Sequence, residues 1–133
     1  MEQRAIISTY IAQSPVEAGQ IVRFISDGVV SVINDQTQIP FGIALSTVSV
    51  GSNVAIVHFG TGYCVTTHFG DSVQFAQPGD PVYSRGDGWV TMAPTAGSWW
   101  KVGMASQLPG EAWFERGQKL RMIVSVPILE VIA

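Results

Sequence analysis

Charge is scarce in this chain. Asp, Glu, Lys and Arg make up 13% of its 133 residues, about half the usual share for a soluble domain. The basic residues Arg4, Arg23, Arg85 and Lys101 are scattered; Arg116, Lys119 and Arg121 cluster but have Glu115 beside them. With a net charge of −3 and no concentrated basic footprint, nucleic acid is not an expected partner. Cys64 stands alone, which excludes an intrachain disulfide framework and fits synthesis in a reducing compartment. No stretch approaches the ~18–20 uninterrupted apolar residues of a membrane helix, so no membrane partner is expected. The N-terminus lacks the basic segment and apolar run of a signal peptide. Helical periodicity is also missing, apart from "GEAWFERG" (110–117), which has room for a turn or two before Gly117.

What the chain does have is β-forming sequence. Hydrophobic residues reach 47%, and Gly or Pro recurs every eight to twelve residues between runs such as "QIVRFIS", "NVAIVHF", "YCVTTHF" and "KLRMIVSV". That rhythm predicts an all-β fold, a small barrel or sandwich. A chain of this length buries roughly two-thirds of its unfolded surface as a single domain. A surface poor in charge is suited to meeting other protein.

The β-runs repeat. "AGQIVRFISDGVVSV" (18–32) aligns with "PGDPVYSRGDGWVTM" (78–92) at a constant offset of 60. Gly19 falls on Gly79, Val22 on Val82, Asp27-Gly28 on Asp87-Gly88, and Val30 on Val90. Further on, "FGIALS" (41–46) matches "VGMASQ" (102–107), and "VGSNVAIV" (50–57) matches "RGQKLRMI" (116–123). The units span about 16–60 and 76–126, within one β-domain of residues 16–133. Asp27, Gly28, Asp87 and Gly88 are read as structural turns, since a tight hairpin needs positive φ that Asp tolerates and Gly allows. Arg85-Gly86-Asp87 is the tripeptide that adhesion receptors read. The first copy has the turn without the arginine, so the turn accounts for Asp87 and no adhesion role is assigned.

With Ser26 opposite Val29, the first hairpin carries Val22, Phe24, Val29 and Ile33 on one face. The other bears Ile21, Ile25, Val30 and Val32, with Arg23 among them. A hairpin with one wet side would alternate, so each face needs a cover: the barrel interior for one, a loop of the same chain or a neighbouring subunit for the other. "RAIISTYIA" (4–12) precedes the Ser14-Pro15 break and lies outside both units. Unpaired, such a strand is an aggregation hazard. Residues 1–15 are therefore read as an extended N-terminal arm that adds to a partner's sheet, with an ordinary first strand of the chain's own sheet as the alternative. Ile6, Ile7, Tyr10 and Ile11 become candidate interface residues.

No constellation supports an enzyme. His58, Cys64 and His68 fall within eleven residues, but their intervals are not those of common zinc sites and no fourth ligand is evident; no metal and no cofactor are expected. The serines lack a nucleophile elbow, and "GTG" (60–62) is no phosphate-binding fingerprint. The tryptophans fit interface anchors or core. Trp99, Trp100 and Trp113 join the candidate interface, and neighbouring Trp99 and Trp100 on a strand point to opposite faces. Stacking on sugar rings is the competing use.

The segments "VEAGQIVRFISDGVVSV", "FGIALSTVSVGSNVAIVHFG", "PGDPVYSRGDGWVTM" and "VGMA" together resemble the capsid decoration (cement) proteins of tailed bacteriophages. The resemblance covers roughly residues 16–126, and "PGDPVY" followed by "GDGWVT" is its most telling part. It implies a small β-barrel without a catalytic site, oligomeric and often trimeric. Such a protein is made in the host cytoplasm and sits on the outer surface of the head, where it bridges capsomers of the major capsid protein. Gln20 stands where that family has Asp. The family's shell contacts carry no motif, so no contact residue is carried over. The alternative is a carbohydrate- or receptor-binding β-module of a virion.

Overall fold

The computed structural model describes residues 6–60, 64–70, 73–74, 77–107, 113–114 and 117–133. Every regular element among them is a strand. The first five are β1 (Ile7–Ala12), β2 (Ile21–Ser26), β3 (Val29–Val32), β4 (Gly42–Ala44) and β5 (Asn53–His58). They close a barrel in the order β1-β3-β2-β4-β5. β6 (Cys64–His68), β8 (Pro81–Ser84), β9 (Val90–Thr91), β10 (Gly97–Gln107) and β12 (Lys119–Ile132) form a second sheet ordered β6-β12-β10-β8-β9. β7 (Val73–Gln74) and β11 (Trp113–Phe114) pair separately. Trp113 and Phe114 are thus extended, where the sequence left room for a helical turn; the flanking residues 110–112 and 115–116 lie outside the described residues.

The N-terminal segment is a barrel strand, which corrects the expected arm. β1 runs antiparallel to β5 from Ile7↔Val57 to Ile11↔Asn53, and parallel to β3 through Ile11↔Val29 and Ala12↔Val30. Its sheet edge is satisfied within the same chain, which removes the hazard that suggested a partner.

β1 also belongs to the repeat. Substituting β6 for β1, β9 for β3, β8 for β2, β10 for β4 and β12 for β5 converts the barrel order into that of the second sheet, cut between β6 and β9. Even the cut is bridged, by a parallel pair Phe69↔Val90. The Ala12 amide donates to the Ser52 carbonyl and its carbonyl accepts from Gly51; the Phe69 amide donates to Gln118 and its carbonyl accepts from Gly117. Gln13 donates to Val30 at 2.8 Å, and Gly70 to Val90 at 2.8 Å. Gln20 Oε1 accepts from the Glu17 amide at 2.9 Å, and Asp80 Oδ2 accepts from Gln77 at 2.9 Å. Gln and Asp perform the same turn-closing task, so Gln20 is a neutral departure.

Two clusters form the core. Ala12, Val16, Val22, Val30, Ala44, Val54 and Ile56 fill the barrel. Ile21, Ile33, Ile43 and Val57, from the same unit, join Phe69, Val82, Val90, Val102, Ala105, Leu120, Met122 and Val124 of the second. The second apolar face of the first unit is therefore covered by the second sheet of the same chain. Faces do not divide as simple alternation predicts, because a bulge between Phe24 and Ser26 pairs Phe24 with Val30 and carries Val30 to the same cluster as Val22.

Candidate interaction surfaces

The loop bearing the adhesion tripeptide is packed between the units. Ser26↔Val29 pairing leaves Asp27-Gly28 as the two-residue connection of the first hairpin. In the second, Ser84 pairs with Val90, so residues 85–89 form a longer loop and the expected two-residue turn at Asp87-Gly88 is corrected. The reason is tertiary. The Gly88 carbonyl accepts from the Ile21 amide at 2.7 Å, and a Cβ on Gly86 would stand 2.7 Å from the Gln36 nitrogen. Asp87 accepts from the Trp89 amide and pairs with Arg85. The two charged ends of the tripeptide thus hold each other.

Thr67 completes this junction by donating its hydroxyl to the Gly19 carbonyl at 2.8 Å in a fully buried position. The start of β2 is held between β6 and the 85–89 loop, which is where the second sheet is cut. His68, next to Thr67, packs on Trp89 with ring centroids 4.9 Å apart. Burial, and after it the charge of Lys119, lowers the His68 pKa below its ordinary value.

Of the N-terminal candidates, Ile6, Ile7 and Ile11 are exposed, while Tyr10 is half-buried. Tyr10 meets Phe41 edge-on at 5.3 Å, and its hydroxyl lies 3.0 Å from His58 Nε2. Phe41 also contacts His58 and Phe24, so four rings form one cluster against the barrel core. Tyr10 is held in the chain's own fold.

The other candidate surface is built by β10 and β12. From Gly97↔Ile132 to Trp100↔Leu129 these strands continue past β8 as a two-stranded ribbon. Trp99 is only 7% exposed and donates its indole N–H to the Thr95 carbonyl; Trp100, on the opposite face, donates to the Thr37 carbonyl of the first unit. Gln36 donates to Ser98. Across the ribbon, Tyr83 donates its hydroxyl to Glu130 at 2.6 Å, and Lys101 lies 3.3 Å from the same carboxylate. Burial, then this hydrogen bond, pushes the Tyr83 pKa up to about 12, and the bond lowers that of Glu130. β10 is thus docked on the body of the protein. β12 is not: Val126, Ile128, Leu129 and Val131 are exposed, Val131 by 79%. In the sequence, "PILEVIA" (127–133) poses a milder version of the question raised by the N-terminal strand, namely what an apolar strand with little charge pairs with.

Among the described residues no three His, Cys, Asp or Glu side chains come together as a metal site. His58 is committed to the ring cluster and His68 to Trp89; the side chain of Cys64 lies outside the described residues, as does that of Trp113.

No family model matches the chain, and no curated protein does. Solved structures do. The head fiber gp8.5 N base of bacteriophage phi29 superposes with a TM-score of 0.64 at 18% identity, over 96% of this chain and 99% of that one. A chain of the capsid of Myoviridae phage XM1 matches with a TM-score of 0.57 at 17% identity, over 90% of this chain and 82% of that one. Both come from phage heads, in keeping with the resemblance read from the glycine-punctuated motifs. The chain is an all-β protein with a closed barrel and a second sheet, and it shares this fold with proteins of phage heads.

Proposed function

We propose that this chain is a structural virion protein that binds the outer surface of an assembled phage head and bridges neighbouring capsomers, acting as a homotrimer on the major capsid protein. The observation that carries the reading is the likeness to two phage head structures along 90% or more of the chain. The physical design supports it. A charge-poor molecule with rigid, exposed apolar strands suits lateral packing against protein. Several weak contacts per protomer gain strength when copies are linked, because each further contact forms at high effective concentration. Binding the assembled shell alone stabilises that state by mass action. The sugar-binding alternative loses ground, since Trp99 is buried and Trp89 is packed at a tilt against His68.

Co-sedimentation with emptied phage heads tests the reading. Saturable binding to assembled heads, absent with unassembled capsid protein, is expected, along with raised resistance of the decorated heads to heat. Heads that leave all of the protein in the supernatant refute it.

A further inference from the structure

We propose that the C-terminal ribbon is the surface through which copies of this chain meet, with Val126, Ile128, Leu129 and Val131 of each copy buried against its neighbours' ribbons. This rests on the oligomeric reading above and names its contact surface.

The first argument is the uncovered edge. β6 pairs with β12 only from Lys119 to Ile123, and Gly60 approaches it again at Val126. From Pro127 to Ile132 no described residue pairs with β12 on that side, leaving about 20 Å of strand edge at ~3.4 Å per residue. Exposed apolar edges are liabilities that proteins cover or blunt; this stretch carries Pro127, which cannot donate to a neighbour, and one charged side chain, Glu130, whose carboxylate is held by Tyr83 and Lys101.

The second is that exposed apolar side chains stand on both faces. Ile128 lies on one face of the strand, beside the Lys101–Glu130 pair, and Leu129 and Val131 on the other, and all three are exposed. A broad shell surface would cover one face of a ribbon. Copies arranged around an axis place one neighbour on either side, so both faces are covered at once.

Charge favours this occupant. Copies with a net charge of −3 repel one another, and a shared axis admits only an element free of net charge. Between Met122 and Ala133 the one charged side chain is Glu130, and Lys101 and Tyr83 of the same chain hold its carboxylate. Neighbouring ribbons can approach without collecting unpaired carboxylates. The ribbon is also ordered before contact by the Gln36–Ser98, Trp100–Thr37 and Tyr83–Glu130 hydrogen bonds, so little entropy is lost on association.

Sedimentation velocity on the 133-residue chain and on the L129K/V131K double variant, with folding checked by circular dichroism, tests this. Val50→Lys, an exposed apolar position in the loop before β5, serves as the control. The unmodified chain and the control should associate to a defined multiple of the 14.3 kDa protomer. The folded double variant should associate at least ~10-fold more weakly. Amide exchange in the unmodified protein reads the same surface without mutation: protection over residues 128–132 should rise with protein concentration. A chain that stays monomeric overturns the proposal, as does a folded double variant that associates normally, or association without concentration-dependent protection at 128–132. Head binding is scored separately. A monomer that still co-sediments with heads removes the oligomer and its ribbon interface but leaves head binding, whereas an oligomer that ignores heads removes the decoration reading alone.

Discussion

Gly42 and Gly103 occupy matching places in the two units, and at both the neighbouring strand leaves no room for a side chain. A Cβ at Gly42 would stand 2.5 Å from the Val57 carbonyl oxygen, and one at Gly103 would collide with the Ile123 carbonyl oxygen. Backbone oxygens in a closed ladder cannot swing aside as a side chain can. Gly42→Ala and Gly103→Ala should each cost about 1–3 kcal/mol, the usual range for overpacking a core, measured by urea unfolding. Gly28→Ala provides a contrast: open space surrounds its Cβ, but its φ is +74°, so the penalty there comes from the left-handed backbone alone, about 1–2 kcal/mol. His68 sets a different test. Its pKa is lowered in the fold from 6.5, so its contribution is complete above that unfolded value and is lost as pH falls through the folded one. The melting temperature should drop as pH falls below 6.5, and His68→Gln should flatten that part of the profile. An identical profile in the variant would place the effect elsewhere.

At the scale of elements, β1 decides the behaviour of the N-terminus. Deleting residues 1–12 removes the strand between β3 and β5 and uncovers the barrel cluster that contains Ala12. The truncated chain should aggregate or unfold, read by circular dichroism and sedimentation; a soluble, folded truncation would mean that the barrel closes without β1. The strand itself was legible in "RAIISTYIA", and so was the hazard of leaving it unpaired. Its partners were not, because the side-chain alternation of one strand does not specify which edge it joins. The match between β1 and β6 was equally hidden. It resides in backbone hydrogen bonds such as Ala12–Ser52 and Phe69–Gln118, which leave no shared residue types to align.

For the whole molecule, the shared core predicts a single unfolding event. Ile21, Ile33, Ile43 and Val57 of the first unit are buried among residues of the second, so neither unit can open without exposing the other. All four tryptophans lie at positions 89, 99, 100 and 113, so their fluorescence reports the second unit and its contacts with the first, such as Trp100 on Thr37, while far-ultraviolet circular dichroism reports both units. Denaturant curves from the two probes should coincide. Two separated midpoints would show that the units unfold independently and that the shared cluster contributes little.

The sequence by itself determined the all-β class, the repeat and the Asp27-Gly28 turn. These follow from local chemistry: glycine spacing, β-branched runs and the few residues that accept a left-handed backbone. It also carried the resemblance to phage head proteins, because glycine punctuation records where strands turn and nearly touch. Tertiary structure decided what covers each apolar face. Val22 and Val30 share the barrel interior only because a bulge shifts the register. Ile21 and Ile43 are core rather than interface because the second sheet lies over them. Val131 is as apolar as either of them, yet it is exposed because no described strand pairs beyond it. Burial is a property of neighbours brought from far along the chain, and no local pattern encodes which neighbours arrive.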